Sequence, residues 1–412
     1  MPLVSEIKEK VETRLSCQRR RLFTPWRTLK LFLHQSLSSD GSCRETLKQE
    51  KLTRDIEMSE NNAAYCNARK RLPEQALKTL MKEAGQTVND QLEASQKFYG
   101  YQIKLIDGST FSMADSAANQ QAYPQPGSQA KGAGFPMARV VAVIGLATGA
   151  LLDLAIGKYS GKQTGEHALF RQLIHHFGPG DLAMGDRYYP SYWLLHQIMA
   201  QGAQGVFEQH AARKSDFRRG KHLGKGDHIV TWDKPEKPNW MNQQEYEKIP
   251  DKLTIREIKS GDKILVTTLL DAKKIPAKAI KKLYYSRWHV EVDLRAIKTT
   301  MQMEQLRCKS PEMVRKELWV GLLAYNIIRS VMLEAANRSQ REPRTISFKG
   351  CLQTLNAITQ KIGHLANDLY EKIILSVASS LVGNRPNRKE PRAIKKRPKA
   401  YPRLQKPRRE YA

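Results

Sequence analysis

The spacing of apolar and polar positions divides the chain into stretches of different period. Over residues 1–95 apolar side chains recur at helical spacing: Thr24 and Pro25 form a cap and first turn ahead of Trp26, Leu29, Leu33 and Leu37, and Asp40-Gly41 closes that unit. Ser59 is placed to cap a second helix that carries Arg69, Lys70 and Arg71 to Pro73, where a third begins. From Tyr101 the period falls to two. Tyr101, Ile103 and Leu105 alternate with Gln102 and Lys104, and the strand is expected to end at Asp107-Gly108-Ser109. Arg139 to Leu146 and Ala150 to Ile156 flank Ala147-Thr148-Gly149 as a hairpin. A helix over Glu166 to Phe177, a strand Leu182 to Gly185 followed by Asp186, a helix Tyr192 to Ala200 and a strand Val206 to Gln209 complete the stretch. This is a mixed α/β order, and it matches a ribonuclease H-like core.

The next segment changes character. Residues 211–278 are rich in proline and glycine, basic at Arg213, Lys214, Arg218, Arg219 and Lys221, and contain strand patterns at Ile229 to Trp232, Leu253 to Ile258 and Ile264 to Leu269. They read as a β-rich insertion between two parts of the α/β core, 96–210 and 279–337. Ser310 can cap a long helix reaching about Asn337, whose apolar stretch Leu318 to Leu333 is interrupted by Asn326 and Arg329 and therefore reads as a buried helix. Helices near Phe348 to Ile362 and Ala366 to Val382 follow, in a C-terminal helical region 338–384. From Arg385 to Arg409 there are 12 Lys and Arg against one acid, Glu390, with repeated prolines. That composition predicts a disordered basic tail over 385–412.

Charge narrows the partner. Sixty-nine Lys and Arg against 41 Asp and Glu give a net charge of +28, which points to a polyanion, and to nucleic acid before an anionic membrane. Against a membrane, no apolar run reaches the ~18 to 20 residues of a spanning helix, and the first residues carry no signal-peptide core. The helical region 1–95 is accordingly expected to bind DNA, with Arg69, Lys70 and Arg71 lying either along phosphates or on a plain solvated face. The five cysteines are odd in number and widely spaced, without metal-ligand spacing, so a reducing cytosol and no structural zinc are expected.

Candidate chemistry rests on one short segment and two upstream acids. At about 100° per residue, Tyr284, Arg287, Glu291 and Lys298 fall within an arc of roughly 60° on a single helix face, a polar ledge beside the apolar stripe of Leu283, Val290, Leu294, Ile297 and Met301. A solvated helix with Arg287, Glu291 and Arg295 paired at i, i+4 accounts for the same residues. Asp107 and Asp186 each close a predicted strand; taken singly, the first can be a turn residue and the second a helix cap. If Asp107, Asp186 and Glu291 converge, their hard oxygen ligands suit two Mg²⁺, or Mn²⁺ in their place, for in-line phosphoryl transfer.

The segments Leu-Ile-Asp107-Gly-Ser-Thr, Met-Gly-Asp186-Arg-Tyr-Tyr and Tyr284-xx-Arg287-xxx-Glu291-xxxxxx-Lys298 resemble the three catalytic regions of the bacterial insertion-sequence transposases of the family named after insertion sequence four, the last being that family's Tyr-Arg-Glu-Lys signature with its full spacing. The resemblance runs from about Phe23 to the tail. It implies a DDE transposase with a ribonuclease H-like core that excises and inserts DNA by cut and paste. Asp107, Asp186 and Glu291 would coordinate two Mg²⁺, and Tyr284, Arg287 and Lys298 would hold phosphates near the cut. Arg213, Arg218 and Arg219 are the insertion's candidate DNA contacts. The implied partners are the element's terminal inverted repeats, target DNA and a second copy of the chain in a homodimer, within the nucleoid-associated cytoplasm of a bacterium. Some relatives stack a flipped base on a tryptophan of the insertion, where this chain has Trp232 and Trp240. Trp288 and His289 are assigned to packing or DNA contact, because metal-activated water needs no histidine base. Two other readings use the same residues: a catalytically silent DNA-binding derivative, and a nuclease without strand transfer.

Overall fold

The computed structural model describes residues 1–15, 22–38, 40–54, 61–128, 130, 132–359 and 367–382. Five helices precede the sheet: α1 (Pro2–Arg14), α2 (Pro25–Leu37), α3 (Cys43–Arg54), α4 (Ala63–Arg71) and α5 (Glu74–Asp90). The start of α2 is the one the pattern predicts. Thr24 Oγ1 accepts the Arg27 N–H at 3.2 Å, Pro25 occupies the first turn, and Leu29, Phe32 and Leu33 are buried. The proposed Ser59 cap lies outside the described residues. Of the three basic residues on α4, Lys70 and Arg71 are exposed, but Arg69 is buried. Its guanidinium lies 4.0 Å from the Phe32 ring centre and donates to Cys43 Sγ at 2.8 Å and Cys308 Sγ at 3.3 Å. Arg69 therefore joins the helical region to the core instead of facing phosphates, and it gathers cysteines that are remote in sequence.

The strands are β1 (Gln102–Met113), β2 (Met137–Gly145), β3 (Leu151–Lys158), β4 (Asp181–Gly185) and β5 (Gln204–Glu208), with α6 (Ala117–Ala122) after β1, α7 (Glu166–Arg171) after β3 and α8 (Tyr192–Ala200) after β4. The predicted helix Glu166 to Phe177 is shorter than expected, closing at Arg171 and giving way to a 3₁₀ turn at Ile174–His176. β1 does not end at Asp107-Gly108-Ser109. Its ladder with β2 continues through Ser112, because residues 137–142 of β2 offer partners all along it.

The insertion contributes β6 (Lys221–Gly224), β7 (Asp227–Asp233), α9 (Gln243–Glu247), β8 (Lys252–Ser260) and β9 (Lys263–Thr267). These strands extend the core sheet, whose order is β3-β2-β1-β4-β5-β9-β8-β7-β6, through antiparallel pairing of β9 with β5. Only β1 with β4 and β4 with β5 are parallel neighbours on that path. The chain then forms α10 (Ala277–Tyr285), a 3₁₀ turn (Ser286–Trp288), α11 (His289–Arg295), a π-helical turn (Ala296–Thr300) and a short strand, β10 (Gln305–Leu306). The single continuous helix expected over Tyr284 to Lys298 is thus overwound once and underwound once, which changes the phase of its faces.

Helix α12 (Pro311–Arg338) is long and apolar enough to cross a membrane, yet it packs against α2 and α5 and is mostly buried within the protein. Asn326 explains its polar interruption. Its amide accepts from the Leu151 N–H at 2.9 Å and donates to the carbonyls of Leu151 at 2.8 Å and Met81 at 3.0 Å, tying β3 to α5 across the helix. Arg329, the second interruption, donates to Asp293 on α11 and, at 2.9 Å, to the Tyr325 hydroxyl. Two further helices, α13 (Phe348–Thr359) and α14 (Asn367–Ser379), pack on α12, and the basic tail lies outside the described residues.

Two buried acids carry testable weight. Burial would raise the Asp153 carboxyl, but His176 at 2.7 Å and Lys82 at 2.9 Å outweigh it and hold the pKa at about 2. Because the folded value lies below the unfolded one, this stabilisation is complete above about pH 4 and is lost as the pH falls toward 2. Asp153→Asn should cost on the order of 2 kcal/mol at pH 7, and urea titrations at pH 7 and pH 3 should show that difference shrinking. Asp293→Ala leaves the Arg329 guanidinium buried without its carboxylate, and a loss of about 3 to 5 kcal/mol is expected in the same titration at pH 7.

Candidate active site

Register brings the two aspartates together. β1 and β4 run parallel with Leu105 opposite Met184, so two residues further along each chain Asp107 and Asp186 stand at the same level. Adjacent strands lie about 4.8 Å apart, close enough for the two carboxylates to share a ligand. β4 stops at Gly185, while on that side β1 is next paired only at Ser112 and Met113, by β10. The sheet therefore has a notch beside Asp107, and Asp186 hangs at its rim.

Asp107 accepts the Gly108 N–H at 2.9 Å, and Asp186 accepts the Tyr188 N–H at 2.9 Å. Burial, with the charges of Asp186 and Glu166, pushes the Asp107 carboxyl up to about 7 against the opposing pull of Gly108 N–H and Arg287. Arg287 is the bridge to the third acid, pairing with Glu291 at 2.9 Å while lying in electrostatic range of Asp107. Burial lowers its pKa, but the Glu291 carboxylate outweighs this and raises it. The i, i+4 pair anticipated for a solvated helix thus forms here at the rim of an acidic site.

Tyr284 departs from the expected ledge. It is buried, and its hydroxyl donates to the Gly185 carbonyl at 3.3 Å, fastening the end of β4 from which Asp186 projects. Burial keeps its phenol protonated by raising the pKa. Lys298 falls in the π-helical turn, half-buried, and its ammonium has no ion pair among the described residues. Trp288 is half-exposed at the head of α11, while His289 is partly buried and its pKa is lowered by that burial.

The insertion residues are more engaged than their sequence suggests. Arg213 lies 3.7 Å from the Trp232 ring centre, and the Trp232 indole donates to Glu257 at 3.0 Å. Trp232 is 4% exposed, so its ring is not free to stack a base in this conformation. Trp240 carries the Arg171 guanidinium 4.0 Å from its ring centre. Arg218 and Arg219 are largely exposed and fold back onto Asp216, at 2.9 Å and 3.4 Å.

Two residues of the site were not singled out from the sequence: Glu166 and Tyr189, the first accepting the hydroxyl of the second at 3.2 Å. A signal for Glu166 existed in Gly108. A glycine within a strand marks a close approach by another group, whereas Asp-Gly was read as a turn. Asp107, Asp186 and Glu291 carry hard carboxylate oxygens, the donor type that suits Mg²⁺ or Mn²⁺. Among the described residues, the group whose ligand atoms already lie at metal-ligand spacing is Asp153 with His175 and His176, and there the Lys82 ammonium takes up the carboxylate.

Residues 98–327 match the family described as a transposase DDE domain. The chain is 27% identical over 351 residues to transposase InsG for insertion sequence element IS4 of Escherichia coli (strain K12), covering 82% of this chain and 78% of that one. A shorter match of 82 residues, 32% identical and covering 20% of this chain and 23% of the relative, is to the putative transposase y4zB of Sinorhizobium fredii (strain NBRC 101917 / NGR234). Among solved structures, the piggyBac transposase in its synaptic complex with hairpin DNA aligns with a TM-score of 0.43 at 12% identity, over 95% of this chain and 86% of that one.

Proposed function

This chain belongs to the transposase DDE-domain family, and we propose that it performs cut-and-paste transposition of an insertion sequence by phosphoryl transfer at Asp107, Asp186 and Glu291. The observation that carries the reading is the parallel register of β1 and β4, which sets Asp107 beside Asp186 at the notch onto which the Glu291 helix packs. Neighbouring first and fourth strands with a later helix beside them also support a ribonuclease H-like core. Two Mg²⁺ held by these three acids would activate the attacking oxygen and stabilise the leaving one, first in hydrolysis at the element's ends and then in attack of the freed 3′-hydroxyl on target DNA.

The remaining residues divide by position. Arg287 balances Glu291 and offers its other N–H groups to a phosphate, and Lys298 supplies a further cation on the same segment. Tyr284 acts from behind, holding Gly185 and with it Asp186. Arg218 and Arg219 are largely exposed on the insertion and can leave Asp216 for phosphates. Lys70 and Arg71 are exposed on α4, one of the N-terminal helices, which we assign to DNA binding together with the tail 385–412. The C-terminal helices are assigned to a homodimer that holds two inverted-repeat ends, because one active site per chain must serve two ends cut together. The protein would act on the nucleoid in the bacterial cytoplasm.

Incubation with Mg²⁺ and DNA bearing the inverted repeats that flank its gene should yield cleaved ends and joined products. End cleavage without joining would indicate a nuclease, and no cleavage would indicate a silent binding protein. Glu291→Gln should lower cleavage by roughly three orders of magnitude or more, the loss that follows from removing several kcal/mol of charge stabilisation, while gel-shift affinity for end DNA stays largely intact. Affinity should fall by about 0.9 log units per log unit of salt for each phosphate contact. Deleting residues 385–412 should flatten that slope more than it reduces discrimination between end and random DNA, as measured by fluorescence anisotropy across a salt series.

A further inference from the structure

Glu166 has no part in the three-acid reading, yet the structure makes room for it. A Cβ added to Gly108 would meet the Glu166 carboxyl carbon at 2.2 Å and both its oxygens at 2.4 Å. The carboxylate therefore rests directly on the β1 backbone, one residue beyond Asp107. It is held there from two sides. Leu169 and Phe170, buried on the same short helix, anchor α7 against β2 and β3, and the hydroxyl of fully buried Tyr189 donates to Oε2 at 3.2 Å.

The approach direction matters. Helix α11 packs through Val290 and Leu294 into the core on the sheet face that bears Leu105 and Ala142. Helix α7 and Tyr189 pack into the core on the opposite face, with Ile106 and Val141. Glu291 and Glu166 thus reach β1 from opposite sides, and the notch beyond Gly185 is where both can meet Asp107 and Asp186. The charges agree with this placement, since Asp186 and Glu166 lie within electrostatic range of each other and both of Asp107. Of the four acids only Glu291 has an ion pair among the described residues. Arg139, whose charge reaches Glu166, is engaged with the Thr164 carbonyl at 3.3 Å and with the Tyr159 ring at 4.9 Å. Like charges held so close leave a deficit of positive charge that a divalent cation would fill.

We propose that Glu166 is a fourth carboxylate ligand of the divalent-metal site, entering the notch from the sheet face opposite Glu291. The proposal rests on the reading of Asp107, Asp186 and Glu291 as metal ligands and adds a residue to it. Glycine at 108 is then required because any side chain there would displace a ligand.

The test is Mn²⁺ binding to the full-length protein without DNA, followed by calorimetry and by the electron paramagnetic resonance of free Mn²⁺. Glu166→Gln should weaken binding roughly tenfold or more, at or above the loss usual when even an outer partner of a ligand is removed, without lowering the metal-free melting temperature. Gly108→Ala, which pushes the carboxylate aside without deleting it, should weaken binding in the same direction and serves if the first variant fails to fold. Asp107→Asn is the reference. Unchanged affinity in Glu166→Gln and Gly108→Ala, with Asp107→Asn weakened, would overturn the role of Glu166 and leave the proposed function standing. Unchanged affinity in all three would overturn both.

Discussion

The buried carboxylate of Asp293, two residues beyond Glu291, is the fastening on which the site's geometry depends. It accepts from Arg329 of α12 and from Arg344 at 2.7 Å and 2.9 Å, and Arg344 in turn donates to the Leu146 carbonyl at 2.6 Å and the Gly145 carbonyl at 3.2 Å. Tyr325 completes the ring of contacts by donating to the Gly149 carbonyl at 2.7 Å. One acid thereby connects α11, α12 and the β2–β3 turn. Breaking such a pair strands a buried charge, so the helix bearing Glu291 is held in one place relative to the strand bearing Asp107. Precise placement of this kind is what the proposed phosphoryl transfer would require of its ligands.

The second constraint is the sheet itself. Because β4 ends before β1 does, the sheet opens into a notch beside Asp107 and Asp186, both of them partly buried. The insertion lengthens this sheet from β5 outward, so its basic loop is carried on a rigid continuation of the core. The same continuity explains why Trp232 is unavailable for stacking. It lies on β7 with its indole tied to β8 through Glu257 and its face covered by Arg213, and His228 shares that carboxylate at 3.1 Å. A tryptophan in a sheet that must bury one face is recruited to that face.

Much of this was legible in the residues. Period-two alternation located the start of β1, the flanks of Ala147-Thr148-Gly149 located the β2–β3 hairpin, and α8 spans Tyr192–Ala200 as the pattern put it, capped by Ser191 and not by Asp186, because strand and helix periods are local properties. The acids Asp107, Asp186 and Glu291 could be picked out by their positions at predicted strand ends and by the spacing Tyr284, Arg287, Glu291, Lys298. What the chain could not disclose is how far each strand runs and which way a polar side chain turns. β1 continues through Asp107-Gly108 because β2 supplies partners, so a sequence that reads locally as a turn becomes strand. Tyr284 and Arg69 look like surface residues in a one-dimensional pattern but are buried, because neighbouring elements offer them a carbonyl and a pair of sulfurs. Glu166 is the clearest case: its relation to Gly108 spans 58 residues and exists only once α7 folds across the sheet, since no local property of either residue encodes the distance between them.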